Sequence, residues 1–215
     1  MPPHKSTDIR KQEIIHAALR TIGEKGTRSL TIADIAGRAG MSAANIYRHF
    51  RGKQEILRAI AEFIFVAVMG KGAEVATTDA PALDKLAAIF FSHTALISAN
   101  PGLPRFVFSE DIHLGDRELA AVIAARMADY IKTISDIIAT GSKNGELRPN
   151  LAPRETAVTM IGMIQFTALR WSISQGAFAM EGEAVNLWEN FTRLVGNSGQ
   201  RSAISGQNED RDQRS

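Results

Sequence analysis

Apolar residues recur along this chain at intervals of three and four, the period of one face of an α-helix. Sustained alternation of β-branched residues, the mark of a half-buried strand, is nearly absent, and Ala, Ile, Leu, Met, Glu, Lys and Arg dominate the periodic segments. The pattern predicts an all-α fold of about nine helices. Ile14, Ile15, Ala18, Leu19 and Ile22 form the stripe of a first helix over residues 8–25, which Gly26 ends. Thr31 to Asp34 has the form of a capping box with Asp in the usual Glu position, so a short helix is expected over 32–39, closed by Gly40. Ser42 caps another over 43–49. Ile56, Leu57, Ile60, Ala61, Ile64 and Val68 carry a fourth helix to about residue 70, where Gly70, Gly72 and the Thr77-Thr78-Asp79-Ala80-Pro81 cluster read as a loop.

Five more helices are expected over 83–99, 103–112, 116–142, 153–175 and 182–195, separated by breakers such as Asn100-Pro101-Gly102, Asn144-Gly145 and Pro149 to Pro153. The longest of these turns Leu119, Val122, Ile123, Met127, Tyr130, Ile134, Ile137 and Ile138 inward. Residues 197–215 are almost wholly polar, with Ile204 the one large apolar side chain, so this tail is expected to be disordered. No stretch is read as approaching the roughly 20 apolar residues of a membrane helix, and the start lacks the apolar run of a signal peptide. The expectation is a soluble, cytoplasmic protein with no membrane contact.

Charge changes the picture. The chain of 215 residues has a formal net charge of only +2. Divided at Lys53, however, residues 1–53 hold ten Lys/Arg against four Asp/Glu, while residues 54–215 hold fifteen against nineteen. A basic quarter attached to an acidic body suggests a small nucleic-acid reader joined to a domain with another task. The boundary falls at the fourth helix, which links residues 1–53 to a second domain over 54–196. The absence of cysteine removes thiol nucleophiles, Cys-ligated zinc and iron–sulfur clusters from consideration. No nucleophile elbow, P-loop, HExxH or dinucleotide-binding fingerprint is present, so no enzyme and no cofactor are expected.

The two short helices over 32–49 form a helix-turn-helix. Ile32, Ile35, Ala36 and Ala39 bury one face, Gly40 permits the turn, and Met41, Ile46 and Phe50 are inward anchors. Ala43, Ala44, Asn45, Tyr47, Arg48 and His49 are left to divide between solvent and DNA. Asn45 suits a bidentate pair with adenine and an Ala methyl suits a thymine methyl. Tyr47, His49 and Lys53 suit phosphates.

The run from Thr31 to Lys53, continued by Glu55 and Leu57, resembles the N-terminal domain of the TetR family of bacterial transcriptional regulators over about residues 8–60. The AxxAGxS turn, the Ile-Tyr-x-His-Phe end of the second helix and the following Lys fall at that family's spacing. The resemblance implies an all-helical homodimer that binds a palindromic DNA operator and is released by a small ligand held in the C-terminal domain. It assigns Thr31 and Ser42 to helix caps that touch phosphates, Ala43, Ala44 and Asn45 to bases, and Tyr47, His49 and Lys53 to the DNA backbone. Ala43 and Ala44 depart from the Lys and Gly that often stand there, so no base preference is carried over.

In the body, the implied fold would gather Phe90, Phe91, His93, Thr94, Phe106, Phe108, Met127, Tyr130, Met163, Gln165, Phe166 and Trp171 around one cavity. Such a lining favours a largely apolar or aromatic effector. The helix over 153–175 is apolar on almost every side. With Val185, Leu187, Trp188, Phe191 and Leu194 of the last helix it is expected to form a two-fold four-helix interface. Glu110, Asp111 and His113 stand at ligand-like spacing, but no second such pair accompanies them and no metal is expected. The competing expectation is a DNA-binding protein on the same scaffold that acts through a protein partner and has no small-molecule effector. A poorly formed cavity would favour it.

Overall fold

Ser6 caps the first helix, α1 (Thr7–Lys25), which buries Ile14, Ala18, Leu19 and Ile22 against α2 (Ile32–Ala39) and α4 (Lys53–Ala76). With α3 (Ala43–Tyr47), these helices make a small N-terminal domain cored by Ile14, Ile22, Ile35, Ile46, Phe50, Ile56 and Ile60. The body consists of the remainder of α4 together with α5 (Ala82–Ala99), α6 (Gly102–Val107), α7 (Glu110–His113), α8 (Arg117–Lys143), α9 (Pro153–Ile173) and α10 (Met180–Val195). The structure, a computed structural model, describes residues 6–113 and 115–197, and the polar tail from residue 198 on lies outside the described residues. Among the described residues there are ten helices, and the sole β pairing is one isolated bridge between Leu147 and Gly196.

Two helix boundaries differ from expectation for physical reasons. Gly70 and Gly72 do not end α4, which runs on to Ala76. Gly72 is buried where α4 crosses α8, and a Cβ there would stand 3.3 Å from Thr133 Cγ2. The residue serves close helix packing, and buried Val75 holds the last turn down. The segment expected as one helix over 103–112 is two. The chain tightens at Phe108, and the Ser109 hydroxyl then accepts the Asp111 N–H at 3.2 Å, starting α7. Smaller differences are an α3 that ends at Tyr47, with residues 48–50 continuing as hydrogen-bonded turns, and a Val122 that is exposed rather than inward.

Among the described residues, α5 alone is long and apolar enough to cross a membrane, contrary to the expectation that no stretch approaches this. Its apolar faces are used inside the bundle, where it packs on α4, α8, α9 and α10, and it carries Asp84, Lys85 and buried His93.

Several contacts tie the N-terminal domain to the body. Helix α4 belongs to both. Helix α6 lies against α1 so closely that a Cβ on Gly102 would fall 1.8 Å from the Leu19 carbonyl oxygen. The hydroxyls of Thr27, in the α1–α2 loop, and Ser109 share a short hydrogen bond. Arg58 on α4 makes a two-pronged pair with Asp116, the N-cap of α8, at 2.9 and 3.0 Å and reaches Glu118 at 2.8 Å. The Leu119 N–H and Arg58 together hold the Asp116 carboxyl below the usual carboxylate range.

Candidate DNA-binding face and effector cavity

The helix-turn-helix is built by its caps. Thr31 Oγ1 accepts the Asp34 N–H at 3.1 Å and donates to Asp34 Oδ2 at 2.7 Å, closing the capping box at the start of α2. Lys25 at 2.5 Å, and then Thr31, hold the Asp34 carboxyl below its ordinary value. Gly40 sits at φ 63°, in the left-handed region that favours glycine, and lets the Met41 N–H return to the Ala36 carbonyl at 2.9 Å. Ser42 Oγ then accepts the Asn45 N–H at 3.2 Å and opens α3. Fully buried Ile46 anchors the second helix, leaving Ser42, Ala43, Ala44, Tyr47 and Arg48 exposed and Asn45 half-buried, with no hydrogen bond to its carboxamide.

Of the nine residues expected to contact DNA, Thr31 caps the start of α2, Ser42 to His49 lie on and just after α3, and Lys53 opens α4; the structure adds detail to two of them. Lys53 donates to the Thr27 carbonyl at 2.7 Å and to the Arg28 carbonyl at 3.2 Å, so its ammonium also staples α4 to the α1–α2 loop. His49 is half-buried, and its Nδ1 is buried without a partner. Much of the basic charge of this domain is spent internally. Arg10 pairs with Glu13, Lys25 with Asp34, and Arg38 with Glu24. The side chains of Arg28, Arg48 and Arg51 are exposed and make no ion pair among the described residues, although the Arg51 N–H donates to Glu55.

In the body, a cavity of about 70 Å³ opens between α4, α5, α6, α8 and α9. Of the residues expected around it, His93, Phe106, Phe108, Met127, Tyr130 and Gln165 line it. Phe90, Thr94, Met163 and Phe166 do not. Phe90 is wholly buried against Phe91 and Trp188, in an aromatic cluster with Phe191 that joins α5 to α10. Thr94 turns back to donate to the Phe91 carbonyl. Met163 is half-buried elsewhere on α9, and Phe166 stands 63% exposed on its outer side. Trp171 donates to the Phe178 carbonyl at the far end of α9. The wall from α4, with Ile64, Phe65, Val68 and Met69, was not expected. Apolar residues at helical spacing look the same in a sequence whether they face a neighbour or a void.

Among the described residues, the cavity wall is apolar except for three groups. His93 Nδ1 and the Tyr130 hydroxyl lie 3.2 Å apart, and the Gln165 carboxamide makes no hydrogen bond among the described residues. Burial pushes the His93 imidazole down to about 4, so it is neutral at pH 7, and burial likewise raises the Tyr130 phenol. Among the described residues no group of His, Cys, Asp and Glu could hold a metal ion. The side chain of His113 is outside the described residues.

A capped helix-turn-helix on a basic three-helix domain, joined through one continuous helix to an all-helical body with an internal cavity, defines a regulator of transcription. Residues 14–60 match the bacterial regulatory proteins of the tetR family, residues 79–195 match the Tetracyclin repressor-like C-terminal domain, and the chain belongs to the TetR family. It is 28% identical over 163 residues to the fatty acid metabolism regulator protein of Bacillus subtilis (strain 168), covering 74% of this chain and 81% of the relative. Among solved structures, the ketosteroid transcriptional regulator KstR2 of Mycobacterium tuberculosis superposes with a TM-score of 0.74 at 19% identity, over 91% of this chain and 98% of that one. The regulator FadR from Bacillus subtilis, solved with stearoyl-CoA, superposes with a TM-score of 0.68 at 23% identity, over 84% and 96%. The matched family and these relatives are regulators rather than enzymes.

Proposed function

We propose that the protein is a ligand-responsive repressor. A homodimer places two α3 helices in successive major grooves of a palindromic operator, roughly 34–36 Å apart, and a small, largely apolar effector in the body releases it. The observation that carries this reading is shared structure. Helix α4 both lines the cavity and begins at Lys53 against the α1–α2 loop, and α6 both lines the cavity and touches α1. A cavity of about 70 Å³ is half the size of one that admits benzene, about 150 Å³. An effector must therefore push these helices apart, and a ligand that fits only the widened state lowers DNA affinity by its differential binding energy. The stearoyl chain carried by the FadR ligand and the steroid named for KstR2 are both apolar bodies, which supports an apolar effector here. As a regulator of operator DNA the protein works in the cytoplasm.

Dimerisation is supported by the outer side of α9. Val158, Phe166 and Ile173 are exposed and fall within an arc of about 80° at 3.6 residues per turn. Val185 and Leu194 of α10 are exposed as well, whereas Trp188 and Phe191 turn inward onto Phe90.

Selection of bound duplexes from a random-sequence pool, followed by anisotropy titration, tests the reading. The native protein selects a two-fold site, and Asn45→Ala loses about 1–3 kcal/mol of discrimination at one base pair per half-site. Affinity falls steeply with salt through counterion release. Selection of no two-fold site, or an unchanged preference in Asn45→Ala, refutes the assignment of this face. The modest cavity volume is the one observation that favours a DNA-binding protein acting through a protein partner. That reading predicts that no apolar compound releases the selected duplex.

A further inference from the structure

The polar groups of the cavity are few, neutral and incompletely partnered. His93 is 7% exposed and uses only Nδ1, against Tyr130; its Nε2 has no partner among the described residues. Among the described residues, Gln165 offers a carboxamide with no partner, and the rest of the wall besides Tyr130 is Ala, Ile, Leu, Val, Met, Phe and Pro, without a single Lys, Arg, Asp or Glu.

We propose that this site takes an uncharged molecule whose apolar body carries a carbonyl, as in a ketone, ester, thioester or amide, and that it rejects the corresponding free carboxylate. The proposal rests on the reading that the cavity is the effector site. Counting hydrogens carries it. The neutral His93–Tyr130 pair holds two polar hydrogens, one on the imidazole and one on the phenol, and one of them is used between the rings. If the Tyr130 hydroxyl donates to Nδ1, the imidazole N–H stands on Nε2. If Nδ1–H donates to the phenolic oxygen, the hydroxyl hydrogen is left over. In both arrangements one donor is left facing a largely apolar cavity, where an apolar ligand would cover it without giving it an acceptor, which is unfavourable. A carbonyl oxygen satisfies it, and the Gln165 amide can serve as a second donor.

A carboxylate has no cation to meet there. Recruiting His93 as imidazolium is opposed by a pKa of about 4, which leaves about one molecule in a thousand charged at pH 7. Desolvating an unpaired carboxylate is more costly still.

Three near-isosteric probes separate the contributions: ethylbenzene, acetophenone and benzoate, titrated calorimetrically into the full-length protein at pH 7.5. Acetophenone is expected to bind about three- to tenfold more tightly than ethylbenzene, the worth of one neutral hydrogen bond, and at least about tenfold more tightly than benzoate. It should also shift the His93 ring signals of histidine-labelled protein in NMR spectra. In His93→Phe combined with Tyr130→Phe, which removes both hydrogens of the pair, the ethylbenzene affinity should persist while most of the advantage of acetophenone is lost. His93→Leu combined with Tyr130→Phe provides the same comparison if that double variant does not fold, and Gln165→Leu reads the second donor as a smaller loss. Benzoate binding as tightly as acetophenone, or ethylbenzene binding without any preference for acetophenone, overturns this inference and leaves the apolar effector site standing. Binding of none of the three overturns both.

Discussion

Substituting Gly102 by Ala isolates the contact through which the body presses on the DNA-binding domain. The backbone of Gly102 is not in the left-handed region, so alanine brings no conformational strain of its own and the perturbation is steric. Its Cβ would lie 1.8 Å from Leu19 O, 2.7 Å from Leu19 C and 3.0 Å from Gly23 N, all backbone atoms that cannot rotate away. Ordinary contact begins near 3.4 Å, so α6 must retreat from α1 by about 1.5 Å or the end of α1 must yield. Overpacking of this kind typically costs about 1–3 kcal/mol, and the backbone setting puts this case at the upper end. Gly23 gives an internal gradient. A Cβ there would meet Gly102 N at 3.1 Å and Gly102 Cα at 3.2 Å, an approach that small shifts relieve, so Gly23→Ala should lose less than about 1 kcal/mol. Urea unfolding followed by circular dichroism at one fixed protein concentration measures both, the fixed concentration being needed because association adds to apparent stability. A Gly102→Ala protein within about 0.5 kcal/mol of the native one, or no less stable than Gly23→Ala, would refute the reasoning. The same variant should respond weakly to effector, because α6 no longer bears on Leu19.

Three further outcomes are expected. Lys53→Ala should weaken binding to selected and random DNA alike, and should also lower the stability of the DNA-free protein by about 1 kcal/mol through loss of the bonds to Thr27 and Arg28; thermal melting without DNA checks the second part. Phe166→Glu combined with Ile173→Glu should convert the dimer to a monomer in light scattering, since both side chains stand exposed on α9. Between about pH 6.5 and 4 the unfolded chain protonates His93 and the folded one does not. Stability is therefore complete above pH 6.5 and falls by up to about 3 kcal/mol as the pH drops to 4, a slope that His93→Gln should lack in urea titrations across that range.

The helix-turn-helix was legible because its signals are local. Thr31, Asp34, Gly40 and Ser42 act within four residues of their own positions, and the structure uses each as a cap or turn. The misreadings involve distant partners. Gly72 looks like a helix breaker until Thr133 is seen across from it, and the break at Phe108–Ser109 involves a bond to Thr27 in another domain. The cavity was half legible for a related reason. His93, Tyr130 and Gln165 stand out as polar groups on apolar helices, but which Phe and Met residues face the void depends on how α4 and α6 lie on α8. The net charge of residues 1–53 already includes the carboxylates that pair with Lys25 and Arg38, but only the fold shows which cations those pairs occupy.

The unbroken course of α4 has a mechanical consequence. A helix that runs through both domains without a kink cannot absorb a displacement at one end by bending, so it transmits it as rotation. From Val68 on the cavity wall to Lys53 is fifteen residues, a rigid arm of about 22 Å at 1.5 Å per residue, and a tilt of about 5° swings the far end by about 2 Å. In a two-fold dimer both arms swing, so the spacing of the two recognition helices changes by up to about twice that, a sizeable misfit to grooves set about 34 Å apart. Gly72, rather than softening this arm, lets it lie close to α8, which makes α8 its bearing surface.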